Sequence, residues 1–142
     1  MTAAYRVLTV VLMTIVAGAC RSHTAPSDTV AGHWKGTIVD AVSGTGVFEA
    51  TIERKGPGVS GTWSARFQAG GEVRAGSLSG TLLNTKLAIV FSYDPPMVCA
   101  NGATIESTMA FEGTLQSNAW SGSYLTLTCS NVRTGTIDVT RE

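Results

Sequence analysis

The stretch Val59–Phe67, which reads VSGTWSARF, alternates between two kinds of residue. Odd positions carry Val, Gly, Trp, Ala and Phe, whereas even positions carry Ser, Thr, Ser and Arg. Because successive side chains of a β-strand point to opposite faces, this period of two predicts a strand with one buried and one solvated face. The segment Phe48–Glu53 (FEATIE) repeats the pattern, with two glutamates and a threonine on its polar side. A helix would scatter these glutamates around its buried stripe, so a second strand is predicted.

The same alternation continues along the chain and is interrupted by turn residues. It predicts eight strands, at about residues 31–40, 46–55, 58–67, 72–82, 85–93, 103–113, 117–128 and 134–141. Turn sequences such as Gly56–Gly58 (GPG) and Ala69–Gly71 (AGG) separate them. Because nearly all connections are short, sequential strands should pair antiparallel. We therefore predict an all-β fold, an eight-stranded antiparallel up-and-down barrel, with a two-sheet β-sandwich as the alternative.

The composition narrows the range of functions. The 142 residues fit one domain once a leader is removed, and ten basic residues balance ten acidic ones without any run of like charge. A nucleic-acid-binding protein usually carries a basic stripe, and none is present here. We therefore expect no nucleic-acid partner.

The N-terminus differs from the rest of the chain. Arg6 is followed by an uncharged, mainly apolar run from Val7 to Ala19, which is too short to span a bilayer but suits a signal peptide. The run ends in small residues directly before Cys20 and resembles the lipobox of bacterial lipoproteins, where signal peptidase cuts before a lipid-bearing cysteine. The resemblance implies a signal peptide over residues 1–19 and a membrane anchor of several acyl chains at Cys20. The alternative is an ordinary secretory signal cut after Ala19.

Residues 20–30 predict a flexible tether between the membrane and a barrel domain at residues 31–142. The segment Arg21–Thr29 (RSHTAPSDT) is polar and contains a proline. In the lipoprotein sorting pattern, an aspartate directly after the lipidated cysteine retains the protein at the inner membrane. Arg21 occupies that position, so the resemblance implies the periplasmic face of the outer membrane rather than the inner membrane.

A short motif on the first strand suggests a relationship for the barrel itself. Gly32-His33-Trp34 resembles the Gly-x-Trp opening of the calycins, the lipocalin and avidin-like barrels. In those families the tryptophan closes one barrel end and an arginine from the last strand packs over it. The resemblance implies this capping role for Trp34, with Arg141 or Arg133 as its partner. The biotin-contacting pattern of avidin has no counterpart here, so biotin binding is not implied.

If Cys20 carries lipid, Cys99 and Cys129 remain, and in an oxidising compartment they should form a disulfide. Cys99 lies in the longest loop, residues 94–102, and Cys129 ends the seventh predicted strand. Two free thiols are the alternative. A metal site is not predicted, because no histidine or third cysteine accompanies the pair at ligand spacing.

The search for catalytic residues finds no convincing site. On the alternation His33 faces solvent, and no carboxylate that could orient it lies nearby in sequence. Glu49 and Glu53 lie on the outer face of one strand, where two solvated side chains are the plain interpretation. The sequence has neither a Gly-x-Ser-x-Gly elbow nor a phosphate-binding loop. We therefore predict a protein that is not an enzyme and uses no cofactor.

Two functional hypotheses follow. An eight-stranded barrel is either filled by side chains or holds one small ligand. The first hypothesis is therefore a small hydrophobic ligand in the lumen, for which small inward residues such as Gly36 and Gly122 would leave room. Its candidate lining residues are Phe48, Trp63, Phe91, Met109 and Tyr124.

The second hypothesis is an envelope protein that binds another protein, or inhibits an enzyme, through the disulfide-pinned loop 94–102. Functional residues concentrate on such loops, and Pro95 and Pro96 would stiffen this one. The chain is similar in its expected architecture to small bacterial lipoproteins that inhibit lysozyme or metalloproteases.

Overall fold

The computed structural model describes residues 30–105 and 108–142. The predicted signal peptide, the lipidation site at Cys20 and the tether up to residue 29 lie outside the described residues. Within the described ranges, no helix has the length and apolar character that crossing a membrane would require.

The described residues form ten strands, eight of which build one closed barrel. The strands are β1 (Gly32–Asp40), β2 (Gly44–Lys55), β3 (Gly58–Phe67), β4 (Val73–Leu83), β5 (Lys86–Tyr93), β6 (Met97–Val98), β7 (Thr104–Ile105), β8 (Thr108–Gln116), β9 (Ala119–Leu127) and β10 (Val132–Arg141). The barrel order is β1-β10-β9-β8-β5-β4-β3-β2, with every neighbour antiparallel. Pairing of β1 with β10, from Trp34 opposite Arg141 to Asp40 opposite Gly135, closes the ladder. The predicted up-and-down barrel is confirmed, and the two-sheet sandwich is wrong.

The sixth strand departs from the expected one. The prediction placed it at residues 103–113, but the barrel strand β8 spans Thr108–Gln116. Thr104–Ile105 instead pairs with Met97–Val98 in a separate two-stranded hairpin, β6–β7. The apolar and β-branched residues of this segment satisfy the strand pattern in either place, so local periodicity cannot separate the hairpin from the barrel.

The up-and-down order divides the connections between two barrel ends. The entry end carries Val30, the chain end after Arg141, and the turns at residues 56–57, 84–85 and 117–118. The loop end carries the connections at residues 41–43, 68–72 and 128–131 and the long segment 94–105 that contains the β6–β7 hairpin. The N-terminal chain therefore joins the barrel at the end opposite its longest loop.

Every second side chain of the barrel strands points inward and forms one continuous core. The largest side chains that are fully buried are Trp34, Trp120, Phe48, Phe67, Phe91 and Phe111. Burial of each such side chain contributes roughly 1.5–3 kcal/mol or more to folding. The outward positions of β3, such as Ser60 and Thr62, are exposed. The core thus follows directly from the period of two in the sequence.

Candidate functional site

Trp34 and Arg141 meet at the entry end of the barrel. The guanidinium carbon of Arg141 lies 5.2 Å from the centroid of the Trp34 ring, and its Nη2 donates a 2.7 Å hydrogen bond to the carbonyl of Ala31. Trp34 Nε1 donates a 2.8 Å hydrogen bond to the carbonyl of Val30, which is itself fully buried. Arg133, the other candidate partner for Trp34, is the second residue of β10 and lies at the opposite end. A cation over an indole and two hydrogen bonds to backbone carbonyls thus cover this end.

A comparison of two tryptophan substitutions isolates the hydrogen bond in this cap. Trp120 is also fully buried, but its Nε1 has no hydrogen-bond partner among the described residues. Replacing Trp34 by Phe removes a hydrogen bond and leaves the Val30 carbonyl unpaired, whereas Trp120→Phe removes a buried N–H that is already unpaired. We expect Trp34→Phe to lower the free energy of unfolding by about 1 kcal/mol more than Trp120→Phe does. Urea denaturation of both variants measures the difference, and equal losses would contradict it.

The predicted lining residues are all buried inside the barrel, and three of them contact one another. Phe48 stacks on Trp63 with ring centroids 6.0 Å apart, and Phe91 meets them edge-on at 5.7 and 5.4 Å. Met109 and Tyr124 are buried within the same core. The depressions found beside the described strands, of about 240–310 Å³, are open to solvent. The aromatic side chains therefore occupy the space in which a ligand would lie.

The inward glycines do not leave the room expected of them. A Cβ atom at Gly36 would lie 2.7 Å from the Cα of Val139 on the neighbouring strand. At Gly122 it would lie 2.5 Å from the Cα of Gly113 and 2.7 Å from the ring of Phe111. The absent side chains thus allow neighbouring strands and rings to approach closely, which a tightly coiled small barrel requires.

A buried charge cluster, which the sequence analysis did not identify, lies at the loop end. Asp40 is 2% exposed and Arg74 is 9% exposed. The Tyr124 hydroxyl donates a 2.8 Å hydrogen bond to Asp40 Oδ2, and Arg74 Nη1 lies 3.7 Å from the same oxygen. The other oxygen, Oδ1, accepts the backbone N–H groups of Val42 and Ser43 at 3.0 and 2.7 Å. The carboxylate is therefore compensated on both oxygens, as a buried charge must be.

Besides Asp40, Arg74 also contacts polar residues at the loop end of the barrel. Its Nε and Nη2 donate hydrogen bonds of 2.9 and 3.0 Å to the carboxylate of Glu72, and Nη2 also donates a 2.7 Å hydrogen bond to Ser43 Oγ. Its guanidinium carbon lies 4.6 Å from the centroid of the Phe67 ring. The arrangement matches the planar, many-donor geometry of a guanidinium, and a lysine could not reproduce it.

The alternation of inward and outward residues could have revealed this cluster. Asp40 follows the inward residue Ile38 by two positions, and Arg74 precedes the inward residue Leu78 by four. Both charged residues therefore fall on inward positions of their strands. Two inward residues of opposite charge at the same barrel end predict an ion pair. The sequence analysis weighed only outward carboxylates and missed them.

Protonation of the Asp40 carboxylate at low pH should lower the free energy of unfolding. Burial alone would raise the pKa of its carboxyl, but two backbone N–H groups, the Tyr124 hydroxyl and the Arg74 cation outweigh burial and hold the pKa below its usual 3.8. Because the folded-state pKa is lowered, this stabilisation is complete above the unfolded-state pKa and is lost as pH falls through the folded value. We expect the free energy of unfolding to decline below about pH 4, and to decline less steeply in Asp40→Asn. Urea titrations at successive pH values test this, and an identical slope in the variant would contradict it.

The long loop is tied to the barrel as predicted. Cys99 and Cys129 form a disulfide with their Cα atoms 5.5 Å apart, which confirms the expected pairing. Within the hairpin, the Cys99 N–H donates to the Ala103 carbonyl and the Gly102 N–H donates to the Cys99 carbonyl, both at 2.9 Å. The disulfide and these two hydrogen bonds therefore fix the conformation of the turn between β6 and β7.

Exposed aliphatic side chains flank this disulfide. Val98 is 69% exposed and directly precedes Cys99, and Leu127, two residues before Cys129, is 53% exposed. Val132 pairs with Leu127 in the barrel ladder and is 57% exposed. We refer to Val98, Leu127 and Val132 as the apolar rim. Val98 belongs to the hairpin, whereas Leu127 ends and Val132 begins a barrel strand, so these exposed aliphatic side chains come from the two segments that the disulfide joins. Exposed apolar patches mark surfaces that bind another protein.

The remaining predicted positions lie on the outer surface. His33 is exposed, and its Nδ1 lies 3.0 Å from Thr51 Oγ1. Glu49 forms an exposed 2.7 Å ion pair with Lys35, while Glu53 is also exposed. Among the described residues, no group of three or more His, Cys, Asp or Glu side chains could hold a metal ion.

Comparison with known proteins shows a likeness in fold and nothing beyond it. The chain is similar to a redesigned β-barrel of solved structure, with 15% sequence identity and a TM-score of 0.55 over 81% of this chain and 93% of that chain. At this identity the likeness concerns the fold alone. No protein-family model matches the sequence. A search of curated proteins likewise found no match.

Proposed function

We propose that the protein is an exported, lipid-anchored envelope protein without enzymatic activity, which binds another protein through the disulfide-held loop 94–102 and the apolar rim. The observation that carries the proposal is the contrast between the two barrel regions. The interior is occupied by packed aromatic side chains. The loop end instead displays a disulfide-held hairpin with exposed aliphatic side chains.

The position of the chain terminus supports the same proposal. An anchor at Cys20 would connect through a tether of about ten residues to Val30 at the entry end. The loop end lies at the other end of the barrel, so an upright barrel presents loop 94–102 away from the membrane. This orientation suits contact with a protein in the periplasm or at the opposite membrane.

The calycin relationship belongs to the proposal as well. The stacking of Arg141 over Trp34 is the arrangement that the calycin resemblance implies. The contact of Arg141 with Trp34 supports a calycin-like entry end, whereas packed aromatic side chains occupy the interior in which a lipocalin holds its ligand. We therefore favour the loop over the small hydrophobic ligand as the basis of function.

The anchoring is tested by substitution of the lipidated residue. The full chain expressed in a Gram-negative host should sediment with membranes, and mass spectrometry should find its mature N-terminus at an acylated Cys20. Cys20→Ser should abolish acylation and membrane retention. Equal membrane retention of the variant, or a mature N-terminus elsewhere, would refute the anchor.

The interaction surface is tested with two exposed aliphatic residues of similar exposure. Val98 (69% exposed) lies on the loop, whereas Leu83 (62% exposed) lies at the entry end. In crosslinking and co-purification from envelope extracts, a partner should be captured by the unmodified protein and by Leu83→Ser, and lost with Val98→Ser. Binding of that purified partner should reproduce the order. Retention by Val98→Ser, or loss with Leu83→Ser, would contradict the proposed surface.

A further inference from the structure

The disulfide joins two segments that lie outside the hydrogen-bonded ladder of the barrel. Cys99 follows β6 in the separate hairpin, and Cys129 lies in the turn at residues 128–131 between β9 and β10. The barrel is closed by the pairing of β1 with β10, in which neither cysteine takes part. The bond therefore holds the loop to the barrel without being required to close the cylinder.

The two cysteines differ in their access to solvent. Cys99 is 8% exposed, whereas Cys129 lies exposed on the surface. Thiol–disulfide exchange begins with in-line attack of a thiolate on a sulfur that it can reach. Because Cys129 is the more exposed residue of the pair, attack at its Sγ with Cys99 as the leaving group is the expected direction.

We propose that the Cys99–Cys129 disulfide is a reducible strap, which a dithiol reductant opens at Cys129 to release the segment 94–105 while the barrel stays closed. The effect on partner binding rests on the proposed function, because release would free the loop and move Val98 away from Leu127 and Val132, which stay paired in the barrel. The structural part of the proposal, opening of the loop alone, holds independently of any partner.

The exchange balances in two steps. A thiolate of the reductant attacks Cys129 Sγ, forms a mixed disulfide and expels Cys99 as a thiolate, which takes up a proton. The second thiol of the reductant then attacks the reductant's own sulfur in the mixed disulfide and releases Cys129 as a thiol. In total the protein disulfide gains two electrons and two protons, and the dithiol becomes a disulfide.

Hydrogen–deuterium exchange on the full chain, with and without dithiothreitol, tests the release. We expect exchange in peptides covering residues 94–105 to accelerate about tenfold or more, while peptides covering β1 and β10 change little. The double variant Cys99→Ala, Cys129→Ala should show the released pattern whether or not dithiothreitol is present. Equal acceleration throughout the barrel, or none in segment 94–105, would overturn the strap.

The direction of attack is tested with a monothiol. Brief treatment with glutathione followed by iodoacetamide should leave glutathione on Cys129 and the alkyl group on Cys99, as identified by peptide mass spectrometry. The reverse assignment would overturn the role of Cys129.

Capture of the partner by reduced and oxidised protein separates the two proposals. A partner that binds both forms equally would refute the effect of reduction on partner binding. The release of segment 94–105 itself is tested by the hydrogen–deuterium exchange experiment and does not depend on any partner.

Discussion

Arg74→Ala should destabilise the barrel by roughly 3–5 kcal/mol, because it leaves the Asp40 carboxylate buried without its cation. Asp40 is 2% exposed, and Arg74 is also its link to Glu72 and Ser43. A small domain is typically stable by only about 5–15 kcal/mol, so the loss is a large share of the total. Urea denaturation at neutral pH, followed by tryptophan fluorescence, measures it.

The matched control is a shorter ion pair on the outer face. Lys35 and Glu49 approach to 2.7 Å, closer than the 3.7 Å between Arg74 and Asp40, but both are solvated. Because water screens an exposed pair and solvates the partner left behind, Lys35→Ala should have a much smaller effect. A comparable loss for the two variants would show that burial does not decide the strength of the Arg74 interaction.

Phe48→Ala should lower the free energy of unfolding by roughly 3–5 kcal/mol and open a cavity in the packed aromatic core. Phe48 is fully buried and contacts Trp63, Phe91 and Trp120, with ring centroids 5.7–6.0 Å away. An apolar cavity of this kind stays dry and takes up small apolar molecules. Benzene should therefore raise the melting temperature of the variant and leave that of the unmodified protein unchanged.

The control for Phe48 is its neighbour in the chain. Val47 faces outward and is 42% exposed, so Val47→Ala should change stability little and create no benzene site. Stabilisation of the unmodified protein by benzene would indicate a hollow interior and would revive the ligand hypothesis. A loss below about 1 kcal/mol in Phe48→Ala would likewise contradict the packed core.

The architecture was accessible from sequence because its signals are local. A period of two selects which side chains face inward, and turn residues at short intervals require antiparallel neighbours. The same reasoning located Phe48, Trp63 and Phe91 in the interior, where they are buried. The Cys99–Cys129 bond could be predicted because these are the two cysteines that remain if Cys20 carries lipid.

Only the tertiary structure decided what these inward side chains meet. Tyr124 reaches Asp40 across 84 residues of sequence, and Arg74 reaches it from a strand that is not its neighbour in the ladder. Such contacts depend on strand register and on how tightly the sheet coils, which are properties of the whole closed cylinder. The close approach of neighbouring strands at Gly36 and Gly122 is likewise a result of the closed barrel that alternation alone does not reveal. Local periodicity thus determined the direction of each side chain, and closure of the barrel determined its partners.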